Sequence, residues 1–249
     1  MLFVPEETGG AARGRAAMLW EEDMPGLAPA FSDREDAGRQ LAEAMQSVQL
    51  QDPVVVALPR GGVPVAFEIA QRLGAPLDLL IVRKIGAPGH PEYGIGAVVD
   101  CKEPHVVVSE EAARHFRIPP GYLATEREHQ LAEIERRHRI YFGEDEPQDH
   151  DHAGRDIILV DDGIANGSSI RAGIHALKEM GVGSIWIAVP VAPHDLVESL
   201  REEVNDIVCL SAPQHLEAVS AHYADFTETT DQDVVRLLKE ARRLNRMIH

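Results

Sequence analysis

The apolar positions of this chain fall into short dense runs, separated by stretches where they recur every three or four residues. "PVVVAL" (53–58), "LDLLIV" (77–82), "IILVD" (157–161), "SIWIAVPV" (184–191) and "DIVCLS" (206–211) are strand-length runs rich in Val, Ile and Leu. Unbroken runs, rather than alternating ones, are expected of strands covered on both faces. Helical spacing lies between them. "VPVAFEIAQRLG" (63–74) ends in a glycine, and "SSIRAGIHALKEMG" (168–181) puts Ile170, Ile174 and Leu177 on one face with Gly181 as its stop. "DLVESLREEV" is a further helix between two strands. "FSDREDAGRQLAEAM" opens a helix with Ser32 as the expected N-cap and Glu35 three residues on. "YLATEREHQLAEIERRHRIYF" (122–142) is a long charge-laced helix carrying Leu131, Ile134 and Tyr141 on one stripe, and "AVVD" with "VVVS" suggests a hairpin. Strands alternating with helices predict an α/β fold, with a mostly parallel sheet flanked by helices. Residues 1–30 lack sustained periodicity and read as an irregular N-terminal extension; residues 31–249 carry the domain.

Composition narrows the function classes. A formal net charge of -17 over 249 residues repels nucleic acid and anionic membrane, so an anion site here has to be local. Cys101 and Cys209 lie in or beside apolar runs without metal-ligand spacing and read as small core residues in a reducing compartment. No apolar run reaches membrane-spanning length, and the N-terminus has no basic segment followed by an apolar one. The expected location is the cytoplasm, with no nucleic-acid or membrane partner.

Three strand exits carry unusual chemistry, and strand exits are where sheets of this type bind ligands. In "IILVDDGIANGSSIRAG" (157–173), Asp161 and Asp162 end an apolar strand. Gly163 and Gly167 free the following turn, and amides of about residues 165–169 converge on a helix N-terminus, an anion cradle. Asn166, Ser168 and Ser169 add side-chain donors, unless a serine simply caps the helix. The two carboxylates suit either a vicinal diol or a hydrated Mg²⁺; the plainer alternative is a strand-to-helix turn with solvated acids. The loop is neither a Walker A motif nor GxGxxG. In "ALPRGGVPVA" (57–66), Arg60, Gly61 and Gly62 end a strand before a helix, which suits a phosphate or a tight structural turn. In "IVRKIGAPGHPEYGIGAV" (81–98), Arg83 and Lys84 precede a Gly/Pro-rich stretch that reads as a mobile lid or a solvated surface loop. Together these loops suggest two phosphate sites flanking a sugar.

At these residues the sequence resembles the type I phosphoribosyltransferases. "ILVDDGIANGSS" is similar to their signature, and "SDREDAGRQLA", "ALPRGGVPVA", "VRKIGAPGHPE", "AVPVAP", "HYADF" and "VVRLL" look like a bacterial subfamily of such enzymes. The resemblance spans roughly residues 31–240. It implies a type I phosphoribosyltransferase (Rossmann-like) fold with a small hood. The implied ligand is 5-phosphoribosyl-1-pyrophosphate (PRPP) with Mg²⁺, and the implied reaction transfers the phosphoribosyl group to a nitrogenous acceptor such as a nucleobase, releasing pyrophosphate. Carried over by position, Asp161 and Asp162 take the ribose hydroxyls, directly or through metal, and Gly163, Ala165, Asn166, Gly167, Ser168 and Ser169 surround the 5-phosphate. Arg60, Gly61 and Gly62 form the pyrophosphate loop, which in such enzymes often holds a strained peptide bond, and Arg83 and Lys84 contact pyrophosphate. Asn166 stands where the family usually has Thr. Ala165 stands where 6-oxopurine enzymes carry an Asp as general base, so a mechanism through that residue is not implied.

Tyr223 and Phe226 are acceptor-side candidates that suit core packing equally well. Helix 122–142 exceeds what the minimal fold needs and suits a homodimer contact or part of an acceptor hood. "DHDH" (149–152) reads as a solvated loop before a metal site, and His90 as a solvated loop histidine. The alternative to an enzyme is a PRPP-binding sensor or regulatory module without catalysis. A phosphosugar hydrolase would need a water-activating base, and no residue is singled out for that role.

Overall fold

The computed structural model describes residues 30–100, 105–108, 115–116, 118–143 and 152–248. The expectations for the N-terminal extension, Cys101 and the first three residues of "DHDH" fall outside these. A five-stranded sheet, entirely parallel, forms the centre. Its strands are β1 (Val54–Ala57), β2 (Leu77–Leu79), β6 (Asp156–Val160), β7 (Ser184–Val191) and β8 (Asp206–Ser211), in the order β2-β1-β6-β7-β8. Each of the four residues of β1 is buried, as the unbroken apolar run requires of a strand covered on both sides.

Successive side chains point to opposite faces of such a strand, so the core divides in two. Val55 and Ala57 of β1 and Ile158 and Val160 of β6 join helices α1 (Arg34–Ala44), α2 (Gly62–Leu73) and α6 (Asp231–Ile248) on one face. Val54, Val56, Ile157 and Leu159 join α4 (Ser168–Glu179) and α5 (His194–Arg201) on the other. Ile170, Ile174 and Leu177 of α4 are all buried, as their spacing predicts. Helix α3 (Tyr122–Phe142) matches the predicted span and buries Gln130, Ile134 and Tyr141.

Three local expectations change. The cap of α1 is Asp33, whose carboxylate accepts from the Asp36 amide at 2.7 Å, while Asp36 accepts from the Ser32 amide at 3.0 Å. The cap thus lies one residue beyond Ser32, where the ionised Asp33 is a stronger acceptor for free first-turn amides than a serine hydroxyl, and Asp36 bonds back to the residue before the cap. The run 77–82 divides into β2 and the start of β3 (Val82–Ala87). Finally, the glycine-rich stretch is an antiparallel arm rather than a loop. Strand β3 pairs with β4 (His90–Val99), which pairs with β5 (His105–Val108), so the expected hairpin of "AVVD" and "VVVS" forms within a three-stranded sheet. Ile85 and Ile95 are fully buried from that arm, which anchors it to the core.

Candidate active site

The strand order changes direction between β1 and β6: from β1 the chain adds β2 on one side, and from β6 it adds β7 and β8 on the other. Two loops therefore diverge at that boundary and leave a crevice beyond the carboxyl ends of the strands. They are the loop after β1, with Arg60, Gly61 and Gly62, and the loop after β6, with Asp161 through Gly167. The Leu58 amide donates to the Val160 carbonyl at 2.9 Å, so the two loops leave the sheet side by side.

Their closeness requires glycine. A Cβ on Gly61 would overlap the Asp162 carboxylate, and one on Gly62 would lie 2.8 Å from the Val160 carbonyl oxygen. The Pro59–Arg60 peptide bond in this loop is cis. Beyond it, Arg60 pairs with Glu228 and approaches Asp231 at 3.9 Å, and Asp231 in turn accepts from the Tyr141 hydroxyl at 2.7 Å.

The two aspartates sit in unlike settings. Burial, and then the charge of Asp162, push the Asp161 carboxyl well above the usual range, while Lys84 pulls it back. Asp161 also accepts from the Asp162 amide at 2.9 Å. Asp162 is held by Arg34, whose Nε and Nη2 donate to the same oxygen, Oδ2, at 2.8 and 2.7 Å. Its backbone carbonyl accepts from the Tyr223 hydroxyl at 2.6 Å.

The rest of the loop turns into α4. Gly167 is the N-cap, in the left-handed region at φ 76°, where a side chain would be strained and would meet Leu196. Gly167 has no side chain to cap the first turn of α4, so the amides after Ser168 meet no capping side chain from it. Asn166 turns its Oδ1 to the Ser168 amide at 3.2 Å and hydroxyl at 2.9 Å, which leaves its NH₂ as the donor end. Ala165 and Asn166 are exposed at the loop apex, and Ser168 and Ser169 are half-buried at the start of the helix.

Not every predicted residue converges. Adjacent residues of a strand face opposite sides, and β3 separates Arg83 from Lys84 in this way. Lys84 is exposed on the side that influences Asp161. Arg83 turns to α3, donates to Gln130 Oε1 at 3.1 Å, and is lowered in pKa by burial and by Arg137. Tyr223 is packed between Phe31 and Phe226, at ring distances of 5.3 and 4.9 Å, so it supports the Asp162 loop instead of presenting a free ring. Phe226 is half-buried, with the Arg34 guanidinium 3.8 Å above its centroid. His152 is buried with Nε2 3.1 Å from Asp78 Oδ2, a packed contact unlike the solvated loop expected there. Sequence reasoning missed Arg34, Glu228 and Asp231. They lie far from the strand exits in sequence, and only the "SDREDAGRQLA" motif carried a signal, for Arg34.

Among the described residues no group of three or more His, Cys, Asp or Glu could hold a metal ion, and no helix is long and apolar enough to cross a membrane.

Comparison with known proteins agrees with this geometry. The model of the phosphoribosyl transferase domain family matches residues 33–224. A Mycobacterium tuberculosis (strain H37Rv) protein named "Putative phosphoribosyl transferase Rv0571c" is 38% identical over 214 residues, covering 86% of this chain and 47% of that protein. The chain thus spans about half the length of the curated relatives it matches. The crystal structure of TT1426 from Thermus thermophilus is 42% identical, with a TM-score of 0.70, covering 84% of this chain and 98% of that one. An adenine phosphoribosyltransferase from Symbiobacterium thermophilum is 29% identical over 104 residues, covering 40% of this chain and 61% of that protein. Residues 33–224 contain both loops of the crevice, and the chain belongs to the phosphoribosyl transferase domain family.

Proposed function

We propose that the protein is a phosphoribosyltransferase that moves the 5-phosphoribosyl group of PRPP to a nitrogenous acceptor, a nucleobase or similar amine, and releases pyrophosphate. The observation that carries this reading is the junction of the two loops at the β1–β6 boundary. There the Gly61 backbone lies against the Asp162 carboxylate with no room for a side chain between them. A diol-binding acid and a phosphate-binding loop in contact can take a phosphorylated sugar across both.

In this reading the first-turn amides of α4 and the Asn166, Ser168 and Ser169 side chains hold the 5-phosphate, favoured by the helix dipole. Asp161 and Asp162 take the ribose hydroxyls. Arg60, with the Gly61 and Gly62 backbone, takes the pyrophosphate, and Lys84 reaches it from the arm. Arg83 supports Lys84 by fixing β3 against α3. Two carboxylates are too few to cage Mg²⁺ but suit an ion that keeps its waters and arrives on the phosphates of the substrate. Bound there, it would neutralise charge on the leaving group. As the bond from C1 to pyrophosphate breaks, positive charge grows on the ribose ring beside the aspartates and negative charge grows beside Arg60 and Lys84. Arg60 must exchange Glu228 for pyrophosphate during binding, so the segment around Glu228 and Asp231 borders the leaving-group side.

Calorimetric titration with PRPP and Mg²⁺ tests the site. The native protein should bind, and Asp162→Asn should remain folded, with a lower unfolding midpoint because the Arg34 charge loses its partner, and bind about tenfold more weakly, roughly 1.4 kcal/mol. Equal affinity in the two proteins would remove Asp162 from the sugar site.

A further inference from the structure

Arg34 lies at the start of α1, outside both loops of the crevice, yet it makes a confined polar contact there. Its Nε and Nη2 both donate to Asp162 Oδ2, and its Nη1 donates to the Thr227 carbonyl at 2.7 Å. The face of its guanidinium lies on Phe226. The side chains of Arg34 and Asp162 are only 9% and 16% exposed. The guanidinium thus commits one edge to the acid, another to the 223–228 segment and a face to a ring.

A buried ion pair of this kind is a poor stabiliser, because desolvation of both charges offsets most of their attraction, and apolar replacements are often as stable. Its stronger effect is on orientation. The two N–H groups converge on Oδ2 and pin that oxygen, which opposes rotation of the carboxylate about its terminal torsion, a soft twofold one. Oδ1 is left outside the pair. Gly61 lies on the other side, and the carboxylate fills the space that a Cβ there would need.

We propose that Arg34 is a positioning residue for the ribose site, fixing the Asp162 carboxylate so that Oδ1 meets a sugar hydroxyl and tying that acid to the 223–228 segment. The inference rests on the reading of Asp162 as a ribose ligand. Arg34 touches no substrate; it acts through Asp162, and its effect disappears where that carboxylate is already gone.

A double-mutant cycle on the full chain tests it, with PRPP and Mg²⁺ as probe and thermal unfolding as control. Arg34→Met should weaken PRPP binding by about tenfold, and the same change in the Asp162→Asn background should cost less than about twofold, a coupling expected only of residues that act together. The preference for ribose 5-phosphate over 2-deoxyribose 5-phosphate should fall in Arg34→Met, which general loosening of the fold would not select for. Arg34→Lys keeps the charge without the fork and should behave like Arg34→Met; it carries the same comparison if the Met variant does not fold. Additive losses, or a native affinity in Arg34→Met, would overturn the role of Arg34 while leaving the ribose site intact. Failure of the native protein to bind either PRPP or ribose 5-phosphate would instead remove the site reading itself.

Discussion

At the scale of single residues, the crevice sorts its charges by what surrounds them. Lys84 stands exposed, its charge favouring ionised Asp161, while Arg83, one position earlier, is committed to Gln130 of α3. Lys84→Ala should therefore lower turnover by about tenfold or more at nearly unchanged stability, as loss of one charge-stabilising contact to a leaving group does. Steady-state kinetics with thermal unfolding as control would show it, and full activity would place Lys84 outside the site. Cys209 gives a second expectation. Burial pushes its thiol up to about 12, and its Sγ contacts the Ser211 carbonyl at 3.1 Å. A raised folded pKa favours the neutral thiol, so this group's contribution to stability is complete below the unfolded value near 9 and fades as pH climbs towards 12. At pH 8 an alkylating reagent should label Cys209 only after denaturant is added; rapid labelling at Cys209 itself in the native protein, located by peptide mapping, would contradict its burial.

At the scale of elements, what could be read from the sequence follows the range of the forces involved. The β1 and β6 runs, the stripe of α4 and the full span of α3 come from local periodicity, and the structure places them where that periodicity predicts. The arm shows the limit. Gly86, Pro88, Gly89, Gly94 and Gly96 have the composition of a loop, but Ile85 and Ile95 are buried in the core and pull their neighbours into a paired, irregular hairpin. Its register shifts at Ile85/Gly86 and Gly86/Ala87, where β-propensity is weakest. Packing partners distant in sequence decided that element. The α1–α2 contact was hidden for the same reason. Gly38 reads as an ordinary weak point in a helix, yet a Cβ there would lie 2.7 Å from the Val65 carbonyl oxygen and 2.9 Å from the Glu68 Cβ. Gly38→Ala should destabilise by about 1–3 kcal/mol in spite of its better helix propensity, because α1 would have to lift from α2. A midpoint that rises in chemical denaturation would show that the crossing has slack. Since α1 carries Arg34, the same change should also weaken PRPP binding.

At the scale of the whole molecule, the fold brings four distant segments to one end of the sheet. The strand exits supply two loops whose chemistry was visible in sequence, because each holds its own glycines and charges. Arg34 from the start of α1, and the 223–231 segment, arrive only through tertiary packing, through the Phe31–Tyr223–Phe226 cluster and the Tyr223 bond to the Asp162 carbonyl. That explains why the acids at 161–162 were legible and their supports were not. Catalytic transfer at this crevice is the function proposed for the molecule. Its most direct test is pyrophosphate release from PRPP and Mg²⁺ across a panel of purines, pyrimidines and related amines, with formation of the ribonucleotide followed in parallel. Release should depend on one acceptor, match the ribonucleotide formed, and fall in Lys84→Ala and Asp162→Asn. PRPP binding with no release for any acceptor would contradict catalysis and leave a protein that only senses PRPP.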